Sequence, residues 1–63
     1  MTPLELAYKV ESAVGGGART PAEISAAVGV SWGDTRMVVA VEALRRADRL
    51  AFTGGGYTLA GAR

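Results

Sequence analysis

The chain of 63 residues contains neither cysteine nor histidine. Without cysteine it forms no disulfide scaffold and no cysteine-ligated zinc site. Without histidine, the Ser-His and Cys-His pairs of nucleophilic catalysis and any histidine metal site are excluded too. Because no carboxylate pair falls in a pattern that indicates a cleft, we expect a protein that is not an enzyme, with no catalytic residues, no bound metal and no cofactor.

Long apolar runs are also missing. No stretch approaches the ~20 residues that a helix needs to cross a bilayer. The first ten residues already include Glu5 and Lys9, which is unlike a secretory signal. We therefore expect a cytoplasmic protein with no membrane contact. Since a chain this short has room for only one thin core, a single domain over residues 1–63 is predicted.

Neither sign of charge is in large excess, because the formal net charge is only +1. Residues 36–63 carry five arginines and two acidic residues, a balance of +3, whereas residues 1–35 carry two basic and four acidic residues, a balance of −2. An anionic partner is therefore expected to bind the C-terminal half. Most nucleic-acid-binding domains are more basic than this chain.

Two helix starts of the same kind stand in the first half of the chain. Thr2–Glu5 and Thr20–Glu23 each offer Thr as the N-cap, Pro at the first helical position and Glu where it completes a capping box. The first helix is predicted from Pro3 to about Val14, where a run of three glycines ends it. The second helix is about two turns long and ends at Gly29, which favours a left-handed cap. Helical spacing predicts that one face of the first helix is buried. This face comprises Leu4, Ala7, Tyr8, Glu11 and Val14, and Leu6 and Val10 widen it.

A turn over Val30–Asp34 leads into a third helix. Ser31 and Asp34 can both cap it, and Asp34 is preferred because Gly33 is unfavourable inside a first helical turn. The helix is predicted from about Thr35 to Ala47. Its buried face is expected to comprise Met37, Val41, Leu44 and either Ala47 or Asp48, with Ala40 at the edge.

The last third of the chain has the alternation of a β-hairpin. Leu50–Thr53 and Tyr57–Leu59 alternate apolar with small or polar residues, and three glycines between them permit a tight turn. Ala60–Arg63 is expected to fray, and Ala18–Thr20 is a candidate third strand. The side chains expected to face the helices are Leu50, Phe52, Tyr57 and Leu59. The predicted fold class is α+β, mainly helical, with three helices and a C-terminal hairpin.

Three segments in this order resemble a known family. Thr20–Ser31, which reads TPAEISAAVGVS, resembles the T-P-x-E-I-A-x-x-L-G-L-S segment that opens the helix-turn-helix of winged-helix bacterial and phage transcriptional regulators. Val41–Leu50 is similar to the end of their recognition helix, and Gly56–Leu59 to the returning wing strand. The resemblance implies a three-helix winged helix-turn-helix with a C-terminal β-hairpin wing, which binds double-stranded DNA.

Two features depart from the family pattern. The turn before the third helix is about two residues longer, which shifts the residues that lead the recognition helix. The wing tip, Gly54–Gly56, has none of the Lys or Arg residues with which wings grip the minor groove.

The family's docking implies that the third helix enters the major groove with its N-terminal residues at the base edges. Its expected outer face holds Thr35, Arg36, Val39, Ala43 and Arg46. Arg36 is the only long donor in the first turn, so it is expected at a guanine edge, with a solvated or acid-paired arginine as the alternative. Val39 is expected to touch a thymine methyl group or a partner protein, unless it is an ordinary surface valine.

The remaining candidates are expected at phosphates. Arg46 and Arg49 belong to the densest basic cluster, whose alternative role is a solvated helix end. Thr20 caps the second helix and, with Arg19 beside it, is a candidate for holding a phosphate at that helix N-terminus. Trp32 can donate its indole N–H to a phosphate, although packing across the second and third helices is favoured.

The sequence thus predicts a small transcriptional regulator or phage-type accessory protein that binds double-stranded DNA sequence-specifically, with a homodimer as a candidate assembly. The alternative is a winged-helix module that binds another protein and not DNA. The near-neutral charge, Val39 and the uncharged wing favour that alternative.

Overall fold

A computed structural model describes residues 2–60, which form three helices followed by a hairpin. The elements are α1 Pro3–Gly15, α2 Pro21–Val28, α3 Thr35–Arg46, β1 Leu50–Thr53 and β2 Gly56–Leu59. The two strands pair antiparallel. The predicted fold class, a mainly helical α+β winged helix-turn-helix with a C-terminal hairpin wing, is confirmed.

Both predicted capping boxes form. In α1 the hydroxyl of Thr2 accepts from the Glu5 amide at 3.2 Å, and the Glu5 carboxylate accepts from the Thr2 amide at 3.0 Å. In α2 Thr20 and Glu23 repeat the exchange at 3.1 and 3.2 Å. These bonds satisfy amides that a first helical turn leaves unpaired. Amide donors also lower the pKa of both carboxyl groups, because they favour the ionised form: the Thr2 amide acts on Glu5, and the amides of Arg19 and Thr20 act on Glu23.

One hydrophobic core lies between the three helices and the start of β1. The buried side chains are Leu6, Ala7, Val10, Val14, Ile24, Met37, Ala40, Val41, Leu44 and Leu50. The predicted face of α3 is therefore confirmed at Met37, Ala40, Val41 and Leu44, but it was wrong at its C-terminal end, where Ala47 and Asp48 are both exposed. For α1 the prediction was wrong at Leu4 and Tyr8, which are 65% and 62% exposed. The other helices pack on the stripe that runs along Leu6 and Val10, so these two side chains are left on its flank.

The hairpin packs on the helices through only part of its predicted inner face. Leu50 is buried and Tyr57 and Leu59 are half-buried, but Phe52 is 59% exposed, which contradicts the prediction. Leu50 pairs with Leu59 beside the helices, whereas Phe52 pairs with Tyr57 nearer the tip. The rings of Phe52 and Tyr57 therefore meet in a T-shaped arrangement, with 5.0 Å between ring centroids.

Two segments that flank the hairpin in the fold also differ from expectation. No third strand forms over residues 18–20, but the Arg19 carbonyl accepts from the Tyr57 amide at 2.7 Å. Ala60, expected to fray, donates its amide to the Arg49 carbonyl at 3.1 Å. Residues 61–63, expected to fray with it, lie outside the described residues. Within residues 2–60, no helix has both the length and the apolar character to span a bilayer.

Candidate nucleic-acid interface

The outer side of α3 is uncovered. Met37, Ala40, Val41 and Leu44 hold the helix from behind, and the five residues of the predicted outer face are all exposed. Glu42, which the sequence interpretation left out, is exposed as well. It lies three residues after Val39 and four before Arg46, so helical periodicity places it on the same side. Any anionic ligand of α3 therefore meets one carboxylate among the arginines.

Asp34 begins α3, as predicted. Its backbone is extended, with φ −68° and ψ 136°, and its carboxylate accepts from the Arg36 amide at 2.9 Å. The hydroxyl of Ser31, the other candidate cap, accepts from the Gly33 amide at 3.4 Å and from no amide of α3. The helix thus starts at Thr35, directly after the turn that follows α2.

The same carboxylate binds the side chain of Arg36. Nε donates to Oδ1 of Asp34 at 3.1 Å, and Nη2 donates to Oδ2 at 2.9 Å. This paired guanidinium lowers the pKa of Asp34 to about 2, with the Arg36 amide as the second cause. Of the alternatives raised for Arg36, the structure shows the acid-paired arginine, with its side chain still 50% exposed.

The other arginines near α3 differ in their partners. Arg45 donates to Glu42 at 3.4 Å, a distance typical of a weak surface pair. Arg49 donates through Nε to Glu11 of α1 at 2.9 Å. This bond raises the pKa of Arg49 and holds the arginine on the α1 side of the molecule. Arg46 has no acidic partner among residues 2–60. The basic cluster seen in the sequence is therefore divided between two sides.

Arg45 and Arg46 line an open cleft between α3 and the wing. The cleft has a volume of about 450 Å³, and its other walls are Glu42, Leu50, Ala51 and Phe52. The side chains of two arginines thus line the space between α3 and β1. Beyond the cleft, the wing tip turns through Gly54 and Gly55, whose φ angles are 59° and 81°. Glycine adopts such angles without the strain that a Cβ atom causes, so it suits this turn.

Trp32 packs against the hydrophobic core and is half-buried. Its ring meets Tyr57 of the wing at 5.5 Å between centroids. It also lines a concavity of about 330 Å³ with Val38 and Val41 of α3. Packing of Trp32 against the core and beside α3, one part of the favoured role, is therefore seen, and the wing is a partner that the sequence did not indicate.

The start of α2 already holds a negative group. The amides of Arg19 and Thr20 both donate to Oε1 of Glu23, at 2.8 and 3.2 Å. A phosphate at this helix N-terminus would lie beside that carboxylate, which weakens the phosphate role expected of Thr20. The Arg19 side chain reaches the wing, where Nη1 donates to the Tyr57 carbonyl at 3.5 Å.

The residues predicted from the sequence thus fall into three groups. Thr35, Arg36, Val39 and Arg46 lie on or beside the open side of α3, together with Ala43. Arg19, Thr20 and Trp32 lie around the joint between α2 and the wing, and Arg49 lies against α1. Comparisons of the chain with protein-family models, with curated proteins and with solved structures give no match.

Proposed function

We propose that this chain is a DNA-binding domain that places the outer side of α3 in the major groove of double-stranded DNA. The observation that carries the proposal is that α3 is buried only along Met37, Ala40, Val41 and Leu44, while its opposite side is open. A helix is about 10–12 Å across, and the major groove is about 12 Å wide. The width of a helix such as α3, which has 12 residues, is therefore one that the groove admits.

Phosphate contacts are assigned to the cleft between α3 and the wing. Arg46 has no acidic partner there among the described residues, and the Arg45–Glu42 pair is exposed and long. Such surface pairs are worth little, so a phosphate can replace Glu42 as the partner of Arg45. Because few cations face the groove, we expect weak nonspecific binding with a shallow dependence on salt.

The test is a salt titration of binding to a short duplex by the protein and two single variants. Arg46→Ala should weaken binding to every sequence and reduce the salt slope by about 1. Arg49→Ala removes the same charge on the α1 side, so it is the matched control and should leave the slope unchanged. Equal effects of the two variants would mean that only net charge matters, and α3 would not be the interface.

A transcriptional role, a homodimer and a cytoplasmic location belong to the same proposal. The resemblance to bacterial and phage regulators supports all three. In a homodimer, two-fold symmetry would set two copies of α3 in successive major grooves about 34 Å apart. Sedimentation equilibrium with and without a palindromic duplex tests the dimer. Cell fractionation tests the location. A monomer that binds only single half-sites would remove the dimer from the proposal.

A second candidate function is docking of another protein beside the wing. Val38 and Phe52 are 53% and 59% exposed. Val38 adjoins the half-buried rings of Trp32 and Tyr57, and Phe52 adjoins the ring of Tyr57. Exposed apolar side chains beside aromatic rings are common at protein interfaces. If the protein binds no duplex at about 50 mM salt, the DNA-binding proposal fails and this candidate takes its place. Replacement of Val38 by serine should leave DNA binding intact if the outer side of α3 contacts DNA, because Val38 does not line the cleft between α3 and the wing.

A further inference from the structure

We propose that Asp34 is a positioning residue for base recognition, which holds the guanidinium of Arg36 so that its outer edge can bind one guanine. The inference rests on the proposed function of α3 in DNA binding. It assigns to Asp34 a role beyond capping the helix, and it assigns the specificity of one base pair to the Asp34–Arg36 pair.

The geometry of the pair leaves the useful edge of the arginine free. A guanidinium has a side edge formed by Nε and one terminal nitrogen, and an end edge formed by the two terminal nitrogens. Asp34 accepts from Nε and Nη2 of Arg36 and therefore occupies the side edge. No described residue accepts from Nη1. The end edge keeps parallel N–H groups of Nη1 and Nη2, the pattern that matches O6 and N7 of guanine.

The carboxylate that holds Arg36 is itself fixed. Oδ1 of Asp34 accepts from the Arg36 amide at 2.9 Å as the N-cap of α3, in addition to its bond with Nε. The arginine is thus held at three donors by a residue that the start of the helix keeps in place. The lowered pKa of Asp34 means that the carboxylate stays ionised at any pH at which duplex DNA is handled.

Two opposite effects on binding follow. A held arginine loses less side-chain freedom when it meets a base, so the correct base is favoured. The Asp34 carboxylate also repels phosphates, so binding to every sequence is weakened. Only the first effect raises discrimination. If Asp34 only sequestered Arg36 from DNA, its removal would instead tighten binding to the specific site.

The experiment is selection of bound duplexes from a random pool by the protein and by its variants. Asp34→Asn keeps an oxygen that accepts from the Arg36 amide, so the cap of α3 is retained. It replaces the oxygen that faces Nη2 with an amide group that cannot accept. The selected site of the unmodified protein should contain a guanine whose preference falls on the order of tenfold in Asp34→Asn and in Arg36→Ala. The double variant should be no worse than Arg36→Ala alone.

Two further variants separate this role from charge and from folding. Glu42→Gln also removes one negative charge from α3, but it should tighten binding to all sequences and leave the guanine preference intact. Arg36→Lys keeps the charge without the planar fork, so it should lose the guanine preference as Arg36→Ala does. Circular dichroism of each variant shows whether the helices are retained. If Asp34→Asn does not fold, Arg36→Lys still decides whether the fork reads a base.

The contrary outcomes are distinct. A guanine preference that survives in Asp34→Asn, with tighter binding to the selected site, would overturn the inference while the proposed function stands. Retention of duplexes without any enriched guanine would also overturn it. Failure of the unmodified protein to retain any duplex at about 50 mM salt would overturn both the inference and the proposed function.

Discussion

Replacing Gly56 with alanine is expected to loosen the joint between the wing and the segment before α2. Gly56 is the buried first residue of β2. A Cβ atom added there would lie 3.1 Å from the Cβ of Arg19 and 3.3 Å from its carbonyl oxygen. That same carbonyl accepts from the Tyr57 amide at 2.7 Å. Since the obstacle is largely backbone, the new methyl group cannot be accommodated by a change of rotamer.

The expected cost is that of overpacking, about 1–3 kcal/mol of unfolding free energy. This includes weakening of the Tyr57–Arg19 hydrogen bond, itself worth roughly 0.5–1.5 kcal/mol. For a domain of this size, each kcal/mol lowers Tm by about 4–8 °C. The melting temperature of Gly56→Ala should therefore fall by roughly 5–20 °C. Such a loss is a large share of the stability of a small domain.

Thermal unfolding followed by circular dichroism measures this shift. Gly33→Ala is the matched control, because a Cβ there meets nothing within 4 Å and its φ is not in the left-handed region. Its unfolding free energy should change by no more than about 0.5 kcal/mol. Amide exchange at Tyr57 should accelerate in Gly56→Ala and stay unchanged in the control. Equal melting temperatures for the two variants would refute the close approach of Arg19 to the wing.

Three further predictions concern the core, a helix cap and pH. Leu50→Ala should cost about 2–5 kcal/mol in urea unfolding, whereas Phe52→Ala should cost less than about 1 kcal/mol because its ring is mostly exposed; similar losses would contradict the observed hairpin packing. Thr20→Ala should cost about 1 kcal/mol by losing the cap of α2, and an unchanged midpoint would contradict the capping box. Arg36→Ala should raise the pKa of Asp34 from about 2 toward 3.8 in a carboxyl NMR titration. Because the folded-state pKa is depressed, the pair stabilises the protein above about pH 4 and loses this effect as pH falls toward 2; a titration unchanged by the variant would mean that the pair does not form in solution.

Local chemistry was sufficient to predict where the helices begin and end. The two Thr-Pro-x-Glu segments and Asp34 fix helix starts through bonds between residues two or three apart, and Gly29 ends α2 with φ 75°. The burial of one face of α3 also followed from periodicity, since its apolar residues recur at helical spacing. The Asp34–Arg36 pair is equally local, and the sequence interpretation raised an acid-paired Arg36 as an alternative.

The predictions were wrong where an apolar side chain had to be assigned to the buried or to the exposed side of a helix or strand. Leu4 and Tyr8 are as apolar as the residues that α1 buries, and Phe52 alternates correctly with Leu50, yet all three large side chains are exposed. Spacing shows that residues share a face, but it does not show how far a neighbouring element extends over that face. Only the packing of the helices and the reach of the hairpin decided which apolar groups left water.

The sequence by itself determined the order of the elements, their bounds to within about one residue, and the absence of cysteine and histidine chemistry. Tertiary structure alone decided how the arginines are divided. Glu11 and Arg49 are 38 positions apart, as are Arg19 and Tyr57, so their contacts exist only once the elements pack. An ion pair or hydrogen bond needs atoms within a few ångströms, and over such a separation in the chain only the completed fold sets that distance.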